Sequence, residues 1–229
     1  YCGNGTNTTV ANCYFGNNTA TNLDGGVAQT EYGGGLYIGN PSLTVLNCTF
    51  TNNFCLDDGG GFYAATAATA TNTVRNCVFM ANTVGGSSGG FYIADGDYMF
   101  LYNCSFTNNM AGAGSGGGLW VNGTFVNTVV TNCSFEGNRC DDLGGGARFE
   151  NGTNMTVGNC VFYNNNAVDL NAVAETERAG GLYIGNPSVA MYSCVFTNNT
   201  TTNDQGGAVY IAGGDTGSYG FTNCQFLAN

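Results

Sequence analysis

Apolar and polar positions recur along the 229-residue chain in one pattern, copied end to end. Its centre is Asn47-Cys48-Thr49-Phe50-Thr51-Asn52-Asn53. Eight copies place Phe two residues after Cys and Asn three residues after that Phe. The cysteines are Cys13, Cys48, Cys77, Cys104, Cys133, Cys160, Cys194 and Cys224, spaced 27 to 35 residues apart. The matching rings are Phe15, Phe50, Phe79, Phe106, Phe135, Phe162, Phe196 and Phe226. Seven copies carry Asn just before the Cys, and Ser193 holds that position in the other. A stretch with an apolar residue three before the Cys (Val45, Val74, Leu101) precedes each centre. A Gly pair or triplet leads into a further apolar strand, as in Gly33-Gly34-Gly35-Leu36-Tyr37-Ile38. A repeat of this length with fixed side chains per turn predicts a solenoid.

Side-chain parity gives the expected geometry. Side chains alternate faces along a strand. The apolar residue before Cys and the Phe after it are an odd number of positions apart, so both face inward only if the chain bends between them. Asn tolerates the left-handed backbone such a bend needs, which assigns the bend to the residue before Cys. Cys and Phe then share the interior, and like residues stack into ladders about 4.8 Å apart. The Gly run turns the other corner, and the residues after the Phe-x-x-Asn read as a variable polar loop. The fold predicted is all-β: a right-handed parallel β-helix of about eight coils, three short strands to a coil, in one domain over 1–229. A longer period lies on top. Gly34-Gly35-Leu36-Tyr37-Ile38-Gly39-Asn40-Pro41-Ser42 returns 146 residues later as Gly180 to Ser188. Five coils therefore form a super-repeat, about 13–159, restarting at 160.

Gly-Gly-apolar plus Phe-x-x-Asn, repeated, resembles the repeats of the chlamydial polymorphic membrane proteins, within the pectin-lyase-like β-helices. The likeness covers nearly the whole chain and implies a β-helical passenger of adhesin type. The C-terminal membrane barrel of that family is not read in these residues, which is where the resemblance stops.

Composition narrows the function. Only 8% of residues are charged against 43% hydrophobic, and net charge is −11 with no Lys and no His. Nothing cationic tracks a phosphate backbone, so nucleic acid is excluded as a partner. No apolar run is long enough to insert in a membrane, and no signal peptide is read. N-x-S/T triplets are dense, which points to a secreted, cell-surface glycoprotein. The expected sugar sites are Asn17, Asn122, Asn151 and Asn198. Triplets at Asn47, Asn103 and Asn132 are expected bare, because the ladder should bury their amides.

Catalysis and metal binding have few candidates. Asp57-Asp58 and Asp141-Asp142 fall in equivalent loops and are the only paired carboxylates that suggest a glycosidase pair or a weak Ca²⁺ loop. The favoured reading is a solvated turn, with no catalytic residue, no resident metal and no cofactor. Tyr37, Tyr63, Tyr92, Trp120 and Tyr183 alternate with inward residues, so they should point outward. They suggest a surface for a glycan or a neighbouring subunit, or simple stacking over one sheet face. Thr9, Thr44 and Thr73 share a file that would suit ice binding, but Phe100 and Val129 break it. The ladder thiols read as reduced and buried, with pairing, which a secreted setting favours, as the alternative. Cys2, Cys55 and Cys140 lie off the ladder and are better candidates for a bridge, though Cys55 and Cys140, about 14 Å apart, are too far to join each other. The function expected is structural: a filament or appendage subunit, or an adhesin stalk, joined head to tail to itself or to further repeats. The alternative is a carbohydrate-binding or carbohydrate-cleaving β-helix.

Overall fold

In a computed structural model the chain is an all-β parallel solenoid. The residues described are 7–21, 30–39, 42–170, 177–185, 188–202, 204–212 and 217–229. Cys2 and the triplet at Asn4 lie outside them. Strands of each coil pair in register with those of the next, and every pairing is parallel. Four sheets run the length of the molecule, two of eight strands and two of seven. Among the described residues the four sheets thus account for seven circuits and part of an eighth, slightly short of the eight coils the motif count suggests.

Each coil has four strands rather than three. In the second coil these are Ser42–Leu46, Thr49–Thr51, Phe54–Cys55 and Phe62–Ala65, one in each sheet. The extra strand is only two residues long and occupies the segment expected to be a polar loop. It exists because the chain bends twice around the Phe. The first bend is the residue before Cys, left-handed in all eight copies, from Asn12 (φ 55°) to Asn223 (φ 54°), with Ser193 at 52°. The second lies four residues after Cys and is also left-handed in every copy: Asn17, Asn52, Ala81, Asn108, Gly137, Asn164, Asn198 and Ala228. Asn and Gly enter this region at small cost, whereas Ala81 and Ala228 are held there by the register on either side.

Between the two bends the Phe rings fill the interior. All eight stack, at centroid spacings from 4.6 to 5.1 Å and interplanar angles of 9° or less. Val45, Val74, Leu101, Val130, Val157 and Met191 face them from the first sheet, all buried. A separate small core lies under the third sheet, formed by Cys55, Val84, Ala111, Cys140 and Ala167, with Ala20 packed against it.

The Gly run closes the coil. Gly59 takes φ 71°, and a Cβ on Gly60 would sit 2.6 Å from the Thr83 carbonyl oxygen of the next coil. Only glycine allows that approach without displacing the backbone.

Phe106, with stacked rings above and below, is fully buried. Phe106→Ala should cost about 3–5 kcal/mol in denaturant unfolding. A loss under about 1 kcal/mol would contradict the packing described.

Candidate functional site

Two asparagine files, three sets of outward side chains and the cysteines are the candidates. The second bend delivers the Asn of Phe-x-x-Asn into the interior, and there it forms a continuous ladder. Asn53, Asn82, Asn109, Asn138, Asn165 and Asn199 are buried. In each, the Nδ2 donates to the Oδ1 of the next Asn, as from Asn82 to Asn109 at 2.9 Å. The same Nδ2 donates to a Phe carbonyl of the coil before, Asn82 to Phe50 at 2.9 Å. The backbone N–H of Asn82 also reaches the Asn109 Oδ1, at 3.1 Å. Both amide hydrogens and both oxygen lone pairs are thus used, which is the full capacity of the side chain. The ladder leans on the glycine corner. A Cβ on Gly61 would stand 3.0 Å from Asn82 Cγ, and one on Gly118 would stand 3.0 Å from Asn138 Cγ. The Gly-Gly and Phe-x-x-Asn motifs are therefore one packing unit.

The Asn of the first bend forms a second ladder on the outside. Asn47, Asn76 and Asn103 each donate from Nδ2 to the Asn Oδ1 of the preceding coil at 3.1 Å. The expectation that Asn47, Asn103 and Asn132 are buried is wrong. All three are exposed, because the left-handed bend throws the side chain outward. Of the other triplets, Asn17, Asn151 and Asn198 are exposed, while Asn122 is half-buried. Asn122 Nδ2 donates to the Tyr92 hydroxyl at 2.8 Å, and Asn151 Nδ2 donates to Asn122 Oδ1 at 3.1 Å. Asn199 belongs to the buried ladder.

The ladder thiols donate to carbonyls within their own coil, as Cys77 does to Arg75 at 3.2 Å. All ten described cysteines are free thiols. Cys55 and Cys140, expected as bridge candidates, are fully buried in the file Ala20-Cys55-Val84-Ala111-Cys140-Ala167. They sit three coils apart, about 14 Å, beyond disulfide reach. Burial pushes the Cys55 thiol up to about 11, and pushes Cys140 up as well.

The acidic loops are turns tied to their neighbours. Glu31 N–H donates to Asp57 Oδ2 at 2.6 Å, and Ser87 N–H donates to Asp58 Oδ1 at 2.9 Å. The two carboxylates therefore serve coils on opposite sides rather than facing each other. Asp141 is buried, and its Oδ1 accepts from the Leu170 N–H. Ser115 Oγ donates to Asp142 Oδ2 at 3.5 Å. The two loops lie about 14 Å apart, wider than the roughly 5–9.5 Å between glycosidase carboxylates. Among the described residues no group of three His, Cys, Asp or Glu is placed to hold a metal ion.

The aromatic file on the fourth sheet points outward but is not open. Tyr63, Tyr92 and Tyr183 are 7–8% exposed. Their ring faces are taken by one another: Tyr37–Tyr63 at 5.5 Å, Tyr63–Tyr92 at 4.8 Å, and Tyr32 on Tyr63 at 4.3 Å. Trp120 meets Tyr92 edge-on, and Arg148 lies 4.3 Å over Trp120 and 5.4 Å over Tyr183. Glu150 pairs with Arg148 at 2.5 Å. Among the described residues the file covers the sheet, and the rings of Tyr63, Tyr92 and Tyr183 are packed against neighbours on the coils beside them. Burial pushes the Tyr63, Tyr92 and Tyr183 hydroxyls up.

One cluster escaped the sequence reading. Tyr98, Phe100 and Tyr102 occupy successive outward positions of a single strand of the first sheet, Tyr98–Tyr102. Their rings are parallel within 7° and evenly spaced at 6.3 Å. The signal was the alternation Tyr-Met-Phe-Leu-Tyr, in which both inward residues are buried. The Thr file runs through the same sheet, with Thr9, Thr44 and Thr73 in register before Phe100 interrupts it.

The right-handed β-helix region family matches residues 1–120 and 82–229, together the whole chain. The chain belongs to this family. Its members include enzymes and non-enzymes. No curated protein and no solved structure matches the chain.

Raised thiols carry a sign. A thiol whose folded pKa lies above its unfolded value contributes stability that is intact below the unfolded pKa and lost as pH rises through the folded one. For Cys55 the window runs from about 8.5 to about 11. Urea midpoints should therefore fall between pH 8 and pH 10.5. The paired variant Cys55→Ala/Cys140→Ala, which puts the residue of Ala20, Ala111 and Ala167 at both sites, should fall less. Equal losses would remove the thiols from the account.

Proposed function

We propose that this chain is part of a rigid extracellular shaft: a filament or appendage subunit, or the stalk of an adhesin. The observation that carries the reading is unbroken repetition. The Phe stack and the buried Asn ladder continue from coil to coil without a gap. A non-catalytic role fits that regularity, because sites for chemistry are where a fold departs from its own local rules. The likeness to chlamydial polymorphic membrane protein repeats supports an adhesin, and it rests on two motifs that pack against each other here, Gly61 on Asn82.

The ladder also supports head-to-tail growth onto itself or onto further repeats. Each rung donates to the next through N–H and Nδ2, so the two directions along the axis differ. A contact built on such a ladder is heterologous and does not close. The five-coil super-repeat fits a shaft lengthened by duplication. Sugars on the sides would oppose lateral clumping, and Asn17, Asn151 and Asn198 are among the exposed acceptors.

Electron microscopy of the native material, with peptide mapping after enzymatic deglycosylation, tests both parts. The expected result is filaments with an axial repeat in multiples of about 4.8 Å, sugar at Asn198 and none at the adjacent Asn199. A stable compact monomer at high concentration, free of sugar, would overturn the proposal.

A further inference from the structure

We propose that the wall formed by Tyr98, Phe100 and Tyr102 on the first sheet is a binding platform for neutral β-linked oligosaccharides. This site is separate from the shaft reading and stands whether or not the coils polymerise.

Ring orientation carries the argument. Arg75, in register on the preceding coil, places its guanidinium 5.1 Å over the Tyr102 ring. The ring faces therefore look along the solenoid axis. Three parallel rings at 6.3 Å intervals then make a flat wall across the sheet, one ring high. Tyr98 is exposed and the other two are half-buried. On the fourth sheet the tyrosines are packed against rings or a guanidinium from the neighbouring coils. Here the in-register neighbours other than Arg75 are small or narrow. Thr71 and Thr73 stand on one side, and Asn127, Val129 and Thr131 on the other. The wall rises above these shelves, with no ring or cation among the described residues stacked on Tyr98 or Phe100 from the neighbouring coils, while Arg75 covers one face of Tyr102.

The chemistry of the shelves selects the ligand. A pyranose presents a face of C–H groups, and these carry the weak positive charge that an aromatic face attracts. Its equatorial hydroxyls point sideways, where they need neutral donors and acceptors. Thr and Asn side chains supply both. The one cation beside the wall, Arg75, is turned over Tyr102 rather than toward a ligand anion. A β-1,4-linked chain is extended and flat, so successive sugars can follow a straight row of rings. A bent α-linked helix cannot.

The test is calorimetric titration of the intact chain with cellohexaose, with maltohexaose as the bent control. Variants are Tyr98→Ala and Phe100→Ala, with Tyr14→Ala as an exposed aromatic control on the second sheet. All three side chains point away from the Phe core, and thermal melting verifies that each variant folds. Cellohexaose should bind and maltohexaose should not. Each wall substitution should weaken binding about three- to tenfold, and Tyr14→Ala should leave it unchanged. Absence of cellohexaose binding at millimolar concentration would overturn the proposal. So would binding that survives loss of Tyr98 and Phe100 together, or equal binding of maltohexaose.

Discussion

The buried amide ladder is the constraint on which the other features rest. The Phe stack runs through the core, and each buried ring contributes about 1.5–3 kcal/mol on removal from water. Hydrophobic burial has no direction, however, and stacked rings tolerate sliding. The amides do not. Asn109 gives its Nδ2 to Phe79 behind and to Asn138 ahead, at 2.9 and 3.0 Å, while its Oδ1 receives two bonds from Asn82. Each bond is worth only about 1 kcal/mol net when made, but a buried group left without its partner costs about 1–3 kcal/mol. A slipped coil would orphan several at once. Burial thus makes the solenoid stable, and the amides fix which residue lies over which.

The glycine corner follows from that ladder. An amide carbon pressed against the next turn leaves no space for a side chain at Gly61 or Gly118. The second left-handed bend follows too, because only a reversal after the Phe strand swings the Asn inward. Once both bends are set, the two residues after the inward Asn run straight and form the short third-sheet strand, with its own core of Cys55, Val84, Ala111 and Cys140.

Much of this was legible in the sequence. The Cys, Phe and Asn positions repeat without exception, and parity alone places the first bend at the residue before Cys. The second bend was hidden because its conformation is constant while its residue is not: Asn108, Gly137 and Ala81 all occupy it. The third strand was hidden by its length, since two residues carry no period. Parity correctly sends Tyr63 and Tyr92 outward, but exposure depends on what stands one coil away, which a linear pattern does not report. The same limit explains Asn47, whose ladder is real but lies on the outside. The aromatic wall was passed over because it occurs in one coil only, and a search for repeats discounts what does not repeat.

The two kinds of surface follow from this division of labour. Where outward residues repeat, as in the tyrosine file, neighbours consume each other's faces and the result is structural. Where one strand breaks the repeat, as at Phe100, faces are left for something else. The account stands on the difference between the inner and outer amide ladders, which side-chain hydrogen exchange measures directly. In a ¹⁵N-labelled sample, the Nδ2 protons of Asn82, Asn109, Asn138 and Asn165 should exchange only on global unfolding. Those of Asn47, Asn76 and Asn103, exposed on the outer ladder, should exchange much faster. Rapid exchange of both sets would show that the inner ladder does not hold the coils in register.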